Sequence, residues 1–154
     1  MKTLRSMFAV CLVGALASFS AIAQASAAES CHKINAKGIG QDLGNGRTTA
    51  DINGGGLLNG TTAGSFGISP TADPNVFDLV GSIVFTTNKA TLTVAVSGTF
   101  DTGTGEFAAS GPATAATGKL TGATGNLSLA GVEDLSTGRF TETVQGNICV
   151  DLAP

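Results

Sequence analysis

Few side chains in this sequence could do acid–base chemistry near neutral pH: eleven carboxylates and a single histidine, His32. Two of the carboxylates, Glu133 and Glu142, stand inside alternating apolar stretches instead of in loops. If Leu135–Gly138 forms a four-residue hairpin loop, Asp134 faces Arg139, Glu133 faces Phe140, Gly131 faces Glu142 and Leu129 faces Val144. Glu142 then shares a strand face with Phe140, Val144 and Ile148, and the glycine across the hairpin leaves room beside it. On an inward face such a carboxyl is desolvated and its pKa raised, as suits a general acid or base or a polar anchor for a ligand. On an outer face, or at the mouth of a barrel, it is simply solvated, and that is the plainer expectation. Glu133 has the same parity and could pair with it, although two acids do not make a mechanism.

The remaining candidates have simpler explanations. Asp42-Leu43-Gly44-Asn45-Gly46 and Asp51-Ile52-Asn53 offer oxygen ligands but lack the spacing of a calcium loop, so turn chemistry accounts for them and no metal is expected. His32 follows Cys31 directly, and neighbours on a strand point to opposite faces, so the two do not converge on one ligand. A Ser-His-Asp triad would need that same histidine, and no nucleophile elbow is present. Gly38-Ile39-Gly40 lacks the rest of a dinucleotide fingerprint, and no helix follows it, so no cofactor is expected. Asn59-Gly60-Thr61 and Asn126-Leu127-Ser128 are formal sequons that say nothing of the host.

The N-terminus bounds the compartment. Lys2 and Arg5 precede an uncharged apolar run from Met7 to Ile22, followed by Ala21-Ile22-Ala23 and Ala25-Ser26-Ala27, the small-residue pattern of a signal-peptidase site. The run is shorter than the ~20 residues a bilayer span needs. Residues 1–28 are therefore expected to be a signal peptide cleaved near Ala23 to Ala28. The mature protein is then secreted or periplasmic, with no stable membrane anchor. Removal of Lys2 and Arg5 leaves six bases against eleven acids, a net charge near −5, which makes nucleic acid an improbable partner. Cys11 leaves with the signal. Cys31 and Cys149 remain, one at each end of the mature chain, and in an oxidising compartment they are expected to form a disulfide joining the first strand to the last.

Residues 29–154 are expected to form one all-β domain. Short apolar and polar alternations recur between glycine- and asparagine-rich turns, and no amphipathic helix is visible. Strands are expected at Cys31–Gly38, Arg47–Ile52, Ala63–Ile68, Val76–Thr87, Thr91–Phe100, Gly105–Ser110, Asn126–Asp134 and Arg139–Asp151, with Leu92, Val94, Val96 and Phe100 on one buried face. Eight such strands suit an antiparallel barrel, with a β-sandwich as the alternative. An internal echo supports a meander: Gly98, Asp101, Thr104, Gly105 and Phe107 recur as Gly131, Asp134, Thr137, Gly138 and Phe140. Each set reads as a hairpin in which the aspartate accepts loop amide hydrogen bonds, the second glycine takes positive φ and the phenylalanine re-enters the core.

The stretch Thr117-Gly118-Lys119-Leu120-Thr121-Gly122-Ala123-Thr124-Gly125-Asn126-Leu127-Ser128-Leu129-Ala130-Gly131 resembles the glycine- and leucine-spaced segment around Gly-Ala-Thr-Gly of the allene oxide cyclase and dirigent barrel group. Gly138-Arg139-Phe140 through Ile148 looks like the strand that closes such barrels. The resemblance covers about residues 117–150. It implies an eight-stranded calycin-like barrel with an apolar lumen, in a group that includes cyclases and stereo-directing proteins. No active-site motif of those enzymes matches the first half of this chain, so fold is carried across and activity is not.

Three functional expectations follow. The first is an exported barrel that binds a small apolar molecule in its lumen, with Phe140, Val144, Leu129 and Gly131 as lumen candidates. The second is an isomerase or cyclase of the barrel group using Glu142, with Glu133 as its companion. The third is a structural or surface protein whose barrel is filled. The absence of Trp and Tyr, with only six of the eight phenylalanines outside the signal, argues against a lectin-like or strongly adhesive role.

Overall fold

The computed structural model of the protein describes residues 30–152; the expected signal peptide and its cleavage region lie outside the described residues. The chain folds as a closed barrel of eight antiparallel strands in sequential order, which removes the sandwich alternative. The strands are β1 (Ser30–Gly44), β2 (Arg47–Asn53), β3 (Gly60–Pro70), β4 (Val76–Thr86), β5 (Ala90–Asp101), β6 (Glu106–Gly118), β7 (Thr124–Asp134) and β8 (Arg139–Val150). A single 3-10 turn, Gly56–Leu58, interrupts the β2–β3 connection. Closure comes from β1 pairing with β8, from Ser30 opposite Val150 to Gln41 opposite Arg139. Cys31 and Cys149 are direct partners in that register, with Cα atoms 3.8 Å apart, and are joined by a disulfide.

Alternation decides which face is inside. Along β5, Ala90, Leu92, Val94 and Val96 are buried; Thr91 and Thr93 are half-buried on the outer face, and Ser97 and Thr99 are exposed. On this strand the apolar interior lies under Thr and Ser, while the exposed exterior of other strands also carries Ile39, Val80 and Val132. Among the described residues no helix is long and apolar enough to cross a membrane.

Three elements run further than sequence patterning suggested. β1 continues to Gly44 and β3 begins at Gly60. β6 passes through Gly111-Pro112 to Gly118. It accommodates the interruption with an irregularity opposite β5, where Thr93 pairs with Ala115 and Val94 with Ala113. A bulge of this kind lets a strand carry a proline without losing the ladder on both sides.

Both hairpins of the internal echo form. Asp101 Oδ1 accepts from the Gly103 and Thr104 amides, and Asp134 Oδ1 from the amide and hydroxyl of Ser136. Gly105 and Gly138 adopt φ of +77° and +69°, a region that strongly favours glycine. Phe107 and Phe140 turn inward and meet edge to face, ring centroids 5.6 Å apart.

The two ends of the barrel differ. At the base, where the disulfide lies, the 3-10 turn folds Leu58 inward and the β6–β7 connection contributes Leu120, both fully buried. Ile34, Ile52, Phe85, Leu92, Val94, Leu127, Val144 and Ile148 fill the lumen above them. At the mouth, formed by the β1–β2, β3–β4, β5–β6 and β7–β8 connections, no such plug is present among the described residues.

Candidate functional site

The mouth half of the lumen holds a cavity of about 190 Å³. Its walls are aromatic and aliphatic: Phe66, Ile68, Leu79, Ile83, Phe100, Phe107, Leu129 and Phe140. Only two polar or charged side chains of the described residues are buried in this protein, Thr62 at 6 % exposure and Glu142 at 8 %, and both line this cavity. Mostly apolar walls with a few convergent polar groups are the ordinary make-up of a small-molecule site.

Glu142 reaches the interior because β8 alternates Phe140, Glu142, Val144 inward, and the hairpin register is as expected: Asp134 opposite Arg139, Glu133 opposite Phe140, Gly131 opposite Glu142 and Leu129 opposite Val144. The solvated position anticipated as the plainer outcome is therefore not the one it takes. The gap that accommodates its side chain is also not the expected one. A Cβ at Gly131 would meet the Thr141 carbonyl oxygen and the Phe107 ring, so that space belongs to Phe107. The carboxylate instead lies over Gly38, Glu142's partner on β1. A Cβ there would sit 2.6 Å from Glu142 Cγ, 2.7 Å from its Oε1 and 2.9 Å from Ile52 Cδ1. Gly40, one inward position along, gives the Phe140 ring its space in the same way.

No group among the described residues hydrogen-bonds or ion-pairs with the Glu142 carboxylate, and no side-chain oxygen or nitrogen sealed from solvent lacks a partner. The carboxylate thus meets the open space of the cavity. Burial pushes its pKa up to about 7, because a charge in apolar surroundings loses its hydration without gaining a counter-charge. Glu133 stands nearer the rim, half-buried; partial desolvation raises its pKa, and the neighbouring Asp42 carboxylate adds in the same direction. A carboxyl whose pKa lies near 7 can give or take a proton at neutral pH, and Asp42 and Glu133 are the other two acids of the lining.

The expected site residues separate by depth. Leu129 and Phe140 line the cavity with Glu142 and Glu133. Val144 is wholly buried in the packing beneath it, and Gly131 lies under Phe107 instead of facing the space. Sequence reasoning missed Thr62, Phe66, Gly38 and the cavity role of Asp42, which also closes its own turn by accepting from the Gly44 amide at 2.8 Å. A signal for one of them was present. Gly38-Ile39-Gly40, read as a strand instead of a nucleotide loop, removes two successive side chains from one face, as bulky residues on a neighbouring strand require.

Among the described residues no three His, Cys, Asp or Glu side chains come together to hold a metal. His32 lies at the base, its Nε2 2.9 Å from Ser30 Oγ, away from every carboxylate of the cavity. Comparison with protein-family models, with curated proteins and with solved structures returned no match.

Proposed function

We propose that this protein is an exported binding barrel that carries a small, largely apolar molecule in the mouth half of its lumen. The observation that carries this reading is the convergence of the interior's buried polar groups, Thr62 and Glu142, on one apolar cavity. A barrel with a purely structural role would gain stability from filling that space, as the base half does, and would not keep a carboxylate there at a desolvation cost. The volume bounds the ligand. About 190 Å³ is below the roughly 300–1,000 Å³ of drug-sized pockets and near the ~150 Å³ of an engineered cavity that takes up benzene. The enclosed part of the ligand is then about one ring or a short branched chain, and anything longer projects through the mouth. Export through the 1–28 signal and the likeness of residues 117–150 to allene oxide cyclase and dirigent barrels belong to the same proposal.

The test is uptake of a neutral apolar probe such as 2-phenylethanol, followed by the methyl resonances of Ile83, Leu79 and Leu129. Saturable shifts at these three, lost in Ala109→Phe, which fills the cavity from β6, would support the reading. A folded protein whose lumen methyls never move with any apolar probe would end it. A second reading, an isomerase or cyclase of the barrel group, draws on one observation: a buried carboxyl beside an apolar cavity, its pKa pushed up to about 7 by desolvation, is suited to general acid–base work. It requires a turnover that Glu142→Gln abolishes while probe binding survives.

A further inference from the structure

We infer that the ligand of this lumen is a small organic cation, a protonated amine carried on an apolar body of about one ring. The inference deepens the lumen-binding reading and rests on it. Every charged side chain lining the cavity is an acid: Asp42, Glu133 and Glu142. Glu142 is more than nine-tenths buried, has no partner among the described residues and opens onto the cavity, so it lacks the counter-charge that a buried carboxylate ordinarily has. An ammonium group reaching it would supply that charge and up to three hydrogen-bond donors at once. The walls suit the rest of such a molecule, since the faces of Phe66, Phe107 and Phe140 attract cations as well as apolar groups.

The distribution of charge over the barrel points the same way. The mouth end carries Asp42, Asp73, Asp101, Glu106, Glu133 and Asp134 against Arg47 and Arg139, both at exposed positions at the starts of β2 and β8. At the base Lys89 and Lys119 stand with Asp51 and Asp151, so the two signs offset each other there. A low-dielectric opening ringed with one sign of charge focuses the field and raises the local concentration of the opposite charge. An anion would meet repulsion at the mouth and an uncompensated carboxylate inside. A neutral ligand could accept a hydrogen bond from Glu142 only while that group is protonated.

That contrast gives opposite pH dependences. The titratable groups facing Glu142 across the cavity are Asp42 on β1 and Glu133 on β7; β2 to β6 contribute none to its lining. A cation draws Glu142 into its ionised form, so its affinity rises as pH increases through the neutral range. A neutral acceptor loses affinity over the same range. The experiment titrates the oxidised, mature protein with 2-phenylethylamine, 2-phenylethanol and 3-phenylpropionate at low salt, at pH 5.5 and pH 8, reading the Ile83 and Leu129 methyl resonances. The amine should bind roughly tenfold or more tightly than the alcohol at pH 8, with a smaller margin at pH 5.5 and the carboxylate weakest. Glu142→Gln, nearly isosteric, should remove most of that margin by weakening the amine far more than the alcohol. Equal binding of amine and alcohol, or a margin unchanged in Glu142→Gln, overturns the cation inference and leaves the lumen-binding reading standing. Failure of all three probes to move the lumen methyls overturns both.

Discussion

The base and the mouth of this barrel are built from the same eight strands, yet the lumen is filled in one half and keeps a cavity in the other. At the base the termini of the barrel are tied by Cys31–Cys149, a turn drops Leu58 into the lumen, and Phe85, Leu92 and Ile148 exclude solvent completely. At the mouth the inward positions carry larger rings but leave a void, and half-buried Phe66 and Phe107 border it. The two halves make different contributions to stability. Packed apolar side chains hold the closed half together, while the open half retains an unpaired carboxylate that only the stability of the rest can support.

The largest expected effect is at the base. Reducing the disulfide frees a loop with a sequence separation of 118 residues, and in the chain-entropy account a closure of that length contributes roughly 4–5 kcal/mol. Thermal denaturation with and without reductant should show a large fall in Tm. Alkylation of the denatured, unreduced protein lacking residues 1–28 should label neither cysteine. A negligible Tm change would mean that strand pairing alone closes the barrel. Next comes a pair of truncations compared by urea denaturation. Phe85→Ala, in the filled half, should cost about 3–5 kcal/mol. Phe100→Ala, beside a void that already exists, should cost less than about 2 kcal/mol. Equal costs would erase the distinction between the filled half and the half with the cavity.

Much of this arrangement was legible in the residues, and the parts that were not share a cause. Strand number, the four-residue β7–β8 loop and its register, the echoed Asp-Gly-Phe hairpins and the cysteine pair are all set by neighbours in sequence or by chain ends. Which face of β8 points inward is not local: it depends on what lies across the closed ring. Glu142 is accommodated by Gly38, from the opposite end of the chain, and the nearer Gly131 is occupied by Phe107 from β6. The Gly56–Leu58 plug was invisible for a similar reason, since a two-leucine turn becomes a stopper only when a barrel end surrounds it. β6 looked shorter than it is because Gly111-Pro112 reads as a break until the bulge opposite Val94 is seen.

The pH dependence of stability is the third test, and its sign follows from burial. Burial on folding raises the Glu142 pKa from its ordinary value of 4.5 to about 7, so the folded protein holds that proton more tightly than the unfolded chain. Between these values the unfolded chain is ionised and the folded one protonated. Stability therefore falls as pH rises through that window, and above about 7 the loss is complete, at roughly 3 kcal/mol. Glu142→Gln should match the parent near pH 4 and exceed it by about that amount at pH 8, measured as the difference between the two urea midpoints. A constant difference across the range would place the carboxylate in water and remove the cost assigned to the mouth half.

The smallest expected effect concerns the glycine that makes room for that carboxylate. Gly38→Ala adds a single methyl 2.6 Å from Glu142 Cγ and 2.9 Å from Ile52 Cδ1, and the backbone of Gly38 does not require a glycine. The atoms in the way are the middle and tip of a flexible side chain, so Glu142 can swing toward the mouth. Overpacking should then cost about 1–2 kcal/mol at pH 5, at the low end of its usual range. At pH 8 the cost should be smaller still. A carboxylate displaced toward the mouth regains hydration, its pKa falls back toward 4.5, and part of the burial penalty described above disappears. The substitution should therefore flatten the pH profile of stability while lowering its maximum, and it should weaken any amine margin without abolishing lumen binding. If Gly38→Ala instead destabilises equally at both pH values, the methyl is being resisted by Ile52 and the core beneath it. The boundary between cavity and core would then lie one layer nearer the mouth than Glu142.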